Sequence, residues 1–207
     1  MWALAVKRRS RVFGKLFKKK EYVEPQFIVA NLNARIMPLD RGDLFEDPLD
    51  DQLSKLSLGE VTGGGTLQSE SGEIEYCDIE IQVNNSNEET IQAIKTKLEE
   101  LGAPKGSKLI IESTEKEVPI GLSEGLAVYL NGTDLPDDVY KECDSDFIFS
   151  EFNRLLDKAG AVLSHWQGPT ETALYLYGNS SDQMHDLINE FLATYPMCQK
   201  CRVEKIA

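Results

Sequence analysis

The chain has 207 residues, 41% of them hydrophobic and 28% charged, with 35 acidic and 22 basic side chains and a formal net charge of −13. That length holds one large domain or two small ones, and the composition excludes wholesale disorder, collagen-like and mucin-like chains. No apolar run approaches the roughly 18–20 residues that a membrane-spanning helix requires.

The charge is unevenly placed. Residues 1–20 hold Lys7, Arg8, Arg9, Arg11, Lys15, Lys18, Lys19 and Lys20 and no acid, whereas residues 21–207 carry 14 basic against 35 acidic side chains, a net charge of −21. A body of that charge repels phosphate over about a Debye length, which argues against general nucleic-acid binding and favours basic partners. The apolar run at 2–6 is too short for a secretory signal and precedes the charges, so export is not expected. Val12, Phe13, Leu16 and Phe17 fall on one helical stripe among lysines. Residues 1–24 therefore read as a basic arm or amphipathic leader, capable of weak contact with an anionic membrane.

A first unit spans 25–115. Residues 27–33 form an apolar, β-prone run. An acidic connector follows, and Asp47-Pro48 reads as a helix start with Asp as cap and Pro in the first turn. Leu49, Leu53 and Leu56 then recur at helical spacing. Residues 58–67 and 73–83 read as a hairpin, and Cys77, Ile79, Ile81 and Val83 alternate with Asp78, Glu80 and Gln82, as in a half-buried strand. Ser86 and Glu89 match a capping box ahead of the helical face Ile91, Ile94, Leu98 and Leu101. Residues 108–112 complete the unit as a strand, and 113–121 read as a linker.

A second unit, 122–207, repeats the order. Residues 126–131 form a strand, and an acidic connector leads to a helix with Ile148, Phe149, Phe152, Leu155 and Leu156 on its apolar side. Residues 161–166 and 172–177 form a hairpin. Ser180 and Gln183 cap a helix whose face is Met184, Leu187, Ile188, Phe191 and Leu192. Tyr195-Pro196 ends it, and 201–206 is the last strand. Each unit thus reads β-α-β-β-α-β, so the fold class expected is α+β: tandem ferredoxin-like repeats, each an antiparallel four-stranded sheet with two helices on one face. Eight main strands and four main helices are predicted.

Candidate chemistry is sparse. Cys198 and Cys201 form a lone CxxC between a helix end and a strand. Zinc sites need further ligands at set spacing, and thioredoxin-type chemistry needs the motif at a helix N-terminus. No metal or other cofactor is expected, and with Cys77 and Cys143 these cysteines read as reduced thiols of a cytoplasmic protein. Gly63, Gly64 and Gly65 lead into no helix, so they mark a bulge or a close backbone approach rather than a phosphate cradle. With only His165 and His185 available, no nucleophilic triad assembles.

Two features recur and carry the functional reading. The connectors concentrate carboxylates, with Asp40, Asp43 and Glu46 in the first unit and Asp134, Asp137 and Asp138 in the second. Helix N-termini account for some of these charges but not for the surplus. The alternation in the second unit turns Leu126, Val128, Leu130, Leu174 and Leu176 towards the helices. Tyr129, Tyr175 and Tyr177 are left on the opposite face, where they meet either a partner or the other half of the chain. The expected function is a non-enzymatic binding protein whose acidic surface and tyrosines engage a basic protein, in the manner of inhibitors or immunity proteins. The alternatives are a small-ligand sensor with its pocket between the two repeats, and an enzyme that uses Arg35 or Arg41 with nearby carboxylates on a phosphorylated or acidic substrate.

Overall fold

The computed structural model describes residues 24–207. The basic leader and its apolar stripe fall outside the described residues. The fold is mixed α+β, with two antiparallel sheets of five and four strands. In chain order the elements of the first unit are β1 (Gln26–Leu32), α1 (Pro38–Arg41), a π-helical turn (Gly42–Glu46), α2 (Asp47–Leu56), β2 (Gly59–Gln68), β3 (Ile74–Val83), α3 (Glu88–Glu100), β4 (Ser107–Ile111) and β5 (Lys116–Ile120). Those of the second are β6 (Glu124–Asn131), α4 (Asp137–Glu142), α5 (Ser145–Leu156), β7 (Gly160–Gln167), β8 (Glu171–Gly178), α6 (Ser181–Thr194), a 3₁₀ turn (Pro196–Cys198) and β9 (Arg202–Lys205).

The strand orders are β2-β3-β1-β4-β5 and β7-β8-β6-β9. Cross-strand pairs set the inward faces: Ile28 lies opposite Ile81, Ala30 opposite Ile79 and Leu32 opposite Cys77, and all six are buried. These side chains pack with Leu49 and Leu53 of α2 and Ile94 and Leu98 of α3, so both helices cover one face of the first sheet. In the second unit Leu126, Val128, Leu130, Leu174 and Leu176 pack in the same way against Ile148, Phe152 and Leu156 of α5 and Met184, Ile188 and Leu192 of α6.

Four local expectations are corrected. Residues 113–121 are not a bare linker: they carry β5, which pairs antiparallel with β4 and makes the first sheet five-stranded. α2 begins at Asp47 with Pro48 in its first turn, as expected, but Asp47 does not cap it, because the backbone before it is already helical. Helical backbone begins at Pro38, and Pro48 sits inside it. Proline cannot donate to the carbonyl one turn back, and its ring crowds that carbonyl. The turn just before it is accordingly widened, with the Asp47 N–H reaching the Gly42 carbonyl in the i→i+5 pattern of a π-bulge. The cap of α3 is Asn87, whose side chain accepts from the Thr90 N–H at 2.9 Å, not Ser86. The second connector also folds locally, into α4. The cap predicted at Ser180 is present, accepting from the Gln183 N–H at 3.3 Å.

The triple glycine has a steric cause. A Cβ on Gly64 would lie 2.5 Å from the Asp78 carbonyl oxygen and 2.7 Å from Glu46 Oε1. The register of β2 also slips between Val61 and Gly63. Both the close approach and the bulge expected from the sequence are therefore present. No helix among the described residues is long and apolar enough to cross a membrane.

Candidate functional site

The first acidic connector divides between structural and free carboxylates. Arg41 is buried and donates from Nε to Glu46 Oε1 at 2.5 Å and from Nη1 to the Gly65 carbonyl at 2.7 Å and Thr66 Oγ1 at 2.8 Å. Its charge is thus neutralised inside the fold. Glu46, expected on the partner-binding surface, is the internal counter-ion of Arg41. Arg41 is likewise unavailable to a substrate. Asp50 accepts from the Val61 N–H at 2.8 Å and ties α2 to β2. Asp40 and Asp43 are exposed. Asp43, Asp47, Asp50 and Asp51 line an open concavity of about 520 Å³. The one ion pair among them is Lys55 with Asp51 at 3.7 Å.

In the second connector the Asn131 side chain accepts from the N–H groups of Thr133 and Asp134 at 3.0 and 2.8 Å, closing a turn. The Tyr140 hydroxyl accepts from the Leu135 N–H at 3.0 Å. Asp134, Asp137 and Asp138 are exposed, the last two in the first turn of α4, where they complement the helix dipole.

The three tyrosines lie on the face predicted for them, but the same chain covers that face. Tyr129, Tyr175 and Tyr177 are 3%, 1% and 5% exposed and belong to the core of the first unit. Of the two readings of these rings, the intramolecular one holds, because an open sheet face this apolar gains most from the neighbouring half of its own chain. Their hydroxyls converge on two residues of the first unit. Glu73 Oε1 accepts from Tyr129 at 2.7 Å, from Tyr175 at 2.8 Å and from Arg35 Nη1. Arg35 Nη1 also reaches the Tyr129 hydroxyl at 2.5 Å, and the Arg35 backbone N–H donates to the Tyr177 hydroxyl at 2.8 Å. The Arg35 guanidinium lies 5.5 Å from the Tyr175 ring centre, and Arg202 stacks 3.6 Å over Tyr129.

Burial, then the hydrogen bond to Glu73, raises Tyr129 and Tyr175 above the ordinary tyrosine value, and burial raises Tyr177. Burial works against the Arg35 charge, but Tyr129 and Glu73 outweigh it and hold the guanidinium protonated. The cluster is a latch between the units, and it occupies the guanidinium considered for catalysis.

Two further features were not legible as a site in the sequence. Beside the latch lies a cavity of about 320 Å³, lined from both units by residues that include Gln68, Ile74, Trp166 and Tyr175. On the helical layer of the second unit, Phe147 and Phe149 of α5 and Leu187 of α6 are 45%, 39% and 39% exposed. Phe147 packs 6.0 Å from Phe191 and 5.4 Å from Tyr195. Phe149 and Leu187 were expected inside, since helical periodicity locates a stripe but not how far the covering extends.

All four cysteines are free. Burial pushes the Cys198 thiol up to about 12 and raises Cys201, the opposite of a thiolate activated by a helix N-terminus. Among the described residues no group of three or more His, Cys, Asp or Glu side chains is arranged to hold a metal ion.

Neither a family model nor a curated protein matches the chain. Among solved structures it is similar to the first two RRM domains of yeast poly(U)-binding protein, with 12% identity, a TM-score of 0.23, and coverage of 88% of this chain and 99% of that one. It is also similar to a monooxygenase-like protein of Fusobacterium nucleatum, with 10% identity, a TM-score of 0.30, and coverage of 87% and 90%. A similar protein of Lactobacillus acidophilus aligns with 11% identity, a TM-score of 0.26, and coverage of 87% and 92%. Likenesses this distant carry no argument about activity.

Proposed function

We propose that this protein is a non-enzymatic binding protein that uses exposed carboxylates on a scaffold of two ferredoxin-like repeats to engage a basic protein partner. The repeat reading draws support from the strand orders β2-β3-β1-β4 and β7-β8-β6-β9, which match position for position. The observation that carries the partner reading is the concavity at the start of α2, where Asp43, Asp47 and Asp51 are exposed beside the structural Asp50 and, among the described residues, only Asp51 has an ion-pair partner, Lys55 at 3.7 Å. Carboxylates grouped around one concavity repel one another, and an incoming lysine or arginine relieves that repulsion while the charge of the body steers its approach. The exposed Asp40 extends this first patch; Asp134, Asp137 and Asp138 form a second. The free thiols support action in a reducing compartment such as the cytoplasm.

The test is chromatography of a host-cell extract over the immobilised chain, in parallel with the Asp43→Asn/Asp47→Asn variant. The expected result is a basic protein held at about 0.05 M salt and released near 1 M, where the screening length is only ~3 Å. The variant should lose most of it. Equal retention by variant and parent, or retention that ignores salt, overturns the reading.

A further inference from the structure

The cavity at the unit junction differs in chemistry from the rest of this acidic molecule. Among the described residues its lining holds no Asp, Glu, Lys or Arg, on a chain whose formal net charge is −13. Ile74 and Met37 supply apolar wall from the first unit, Trp166 and Tyr175 supply aromatic rings from the second, and Gln68 and Gln167 supply side-chain amides. At about 320 Å³ it lies at the small end of ligand pockets.

The aromatic walls are held in place beforehand. Tyr175 is anchored through its hydroxyl on Glu73 at 2.8 Å. The indole of Trp166 folds back over Gly168, where a Cβ would lie 2.1 Å from its Cη2 atom, so only glycine leaves room for the ring. The amides have unused capacity. Gln68 donates from Nε2 to the Gly72 carbonyl at 3.2 Å, which leaves its oxygen free.

We propose that this cavity is a binding site for a small, uncharged, planar heteroaromatic molecule of nucleoside size. Its ring stacks on Trp166 above the buried Tyr175, and its polar edge is read by Gln68 and Gln167. Rings of that kind stack on aromatic side chains and present paired donors and acceptors that a glutamine amide matches. The absence of lysine and arginine from the lining, together with the surrounding negative field, selects against phosphorylated forms. The site is independent of the carboxylates assigned to a protein partner.

The test uses adenosine as probe and AMP as its charged counterpart on the full chain carrying Trp2→Phe, which leaves Trp166 as the sole tryptophan. Adenosine should quench Trp166 saturably, with half-saturation below about 1 mM, and AMP should bind at least tenfold more weakly. Gln167→Ala should weaken adenosine at least tenfold, whereas Asp43→Asn/Asp47→Asn should leave it unchanged. On the unmodified protein, adenosine at a hundred times its half-saturation should raise Tm by roughly 5–10 °C, a readout that depends on no variant. Quenching that rises linearly without saturation, AMP binding as tightly as adenosine, or an unmoved Tm overturns the proposal.

Discussion

Glu73 is the residue through which the two units hold each other, and replacing it measures the latch. One oxygen of Glu73 accepts from Tyr129 at 2.7 Å, from Tyr175 at 2.8 Å and from Arg35. Glu73→Ala leaves a guanidinium without its counter-ion and two interfacial hydroxyls without their acceptor. Removing one partner of a fully buried charge pair costs about 3–5 kcal/mol, and each hydrogen bond to a charged group contributes about 1.5–3 kcal/mol. The side chains of Arg35 and Glu73 are 25% and 21% exposed, so water recovers part of that loss. The three donors also share one oxygen and cannot be summed.

The expected destabilisation is therefore about 2–4 kcal/mol. Glu73→Gln keeps an acceptor but not the charge, and should cost about half as much. With a urea m-value near 2 kcal/mol/M, Glu73→Ala moves the midpoint down by about 1–2 M. Urea unfolding in the Trp2→Phe background, followed by Trp166 fluorescence and by far-ultraviolet circular dichroism, reads this directly. In the variant the fluorescence transition, which reports on the junction, should move at least as far as the backbone signal. A loss below about 0.5 kcal/mol would show that the network is solvated in solution and that apolar burial alone joins the units.

Gly64→Ala should destabilise by about 1–3 kcal/mol through its clash with the Asp78 carbonyl and Glu46, while Gly65→Ala, with nothing within 4 Å, should change the urea midpoint very little. Equal effects would refute the steric account. Tyr129, Tyr175 and Tyr177 are all raised on folding, chiefly by burial, and burial also pushes Cys77 up to about 12. A raised acid contributes stability that is complete below its unfolded value and is lost as pH climbs through the folded one, so unfolding free energy should fall from about pH 9 upwards. A midpoint flat between pH 8 and 11.5 would contradict this, and Tyr175→Phe should shallow the slope. On the acid side, the ammonium of Lys105 and then the Ser181 N–H hold Glu124 down to about 2. Stability should drop as pH falls from about 4.5 towards 2, and Glu124→Gln should remove part of that drop. Finally, purified protein should hold no stoichiometric zinc and keep its melting curve in a chelator, which calorimetry and elemental analysis check together.

Periodicity is a local property, and what it governs was legible in the sequence. The alternation in β6 and β8 sends Leu126, Val128, Leu174 and Leu176 to one face and Tyr129, Tyr175 and Tyr177 to the other because successive side chains in a strand must point oppositely. The helical stripes of α3 and α6 and the Ser180 cap follow from equally short-range geometry. Other features depend on what the rest of the chain offers. Lys116–Ile120, short, charged and containing Pro119, reads as a linker and becomes β5 only because β4 leaves an edge open to it. Pro48 reads as a helix start and lies inside one because a π turn makes room for its ring. Glu46 looks like any surface acid until Arg41 folds onto it across Gly64. The tyrosine face is an alternation in the sequence, but its cover, the latch on Glu73 and the cavity beside Trp166 exist only where two units distant in the chain meet. Contacts of that range are chosen by the free energy of burying whole surfaces, which no window of neighbouring residues encodes.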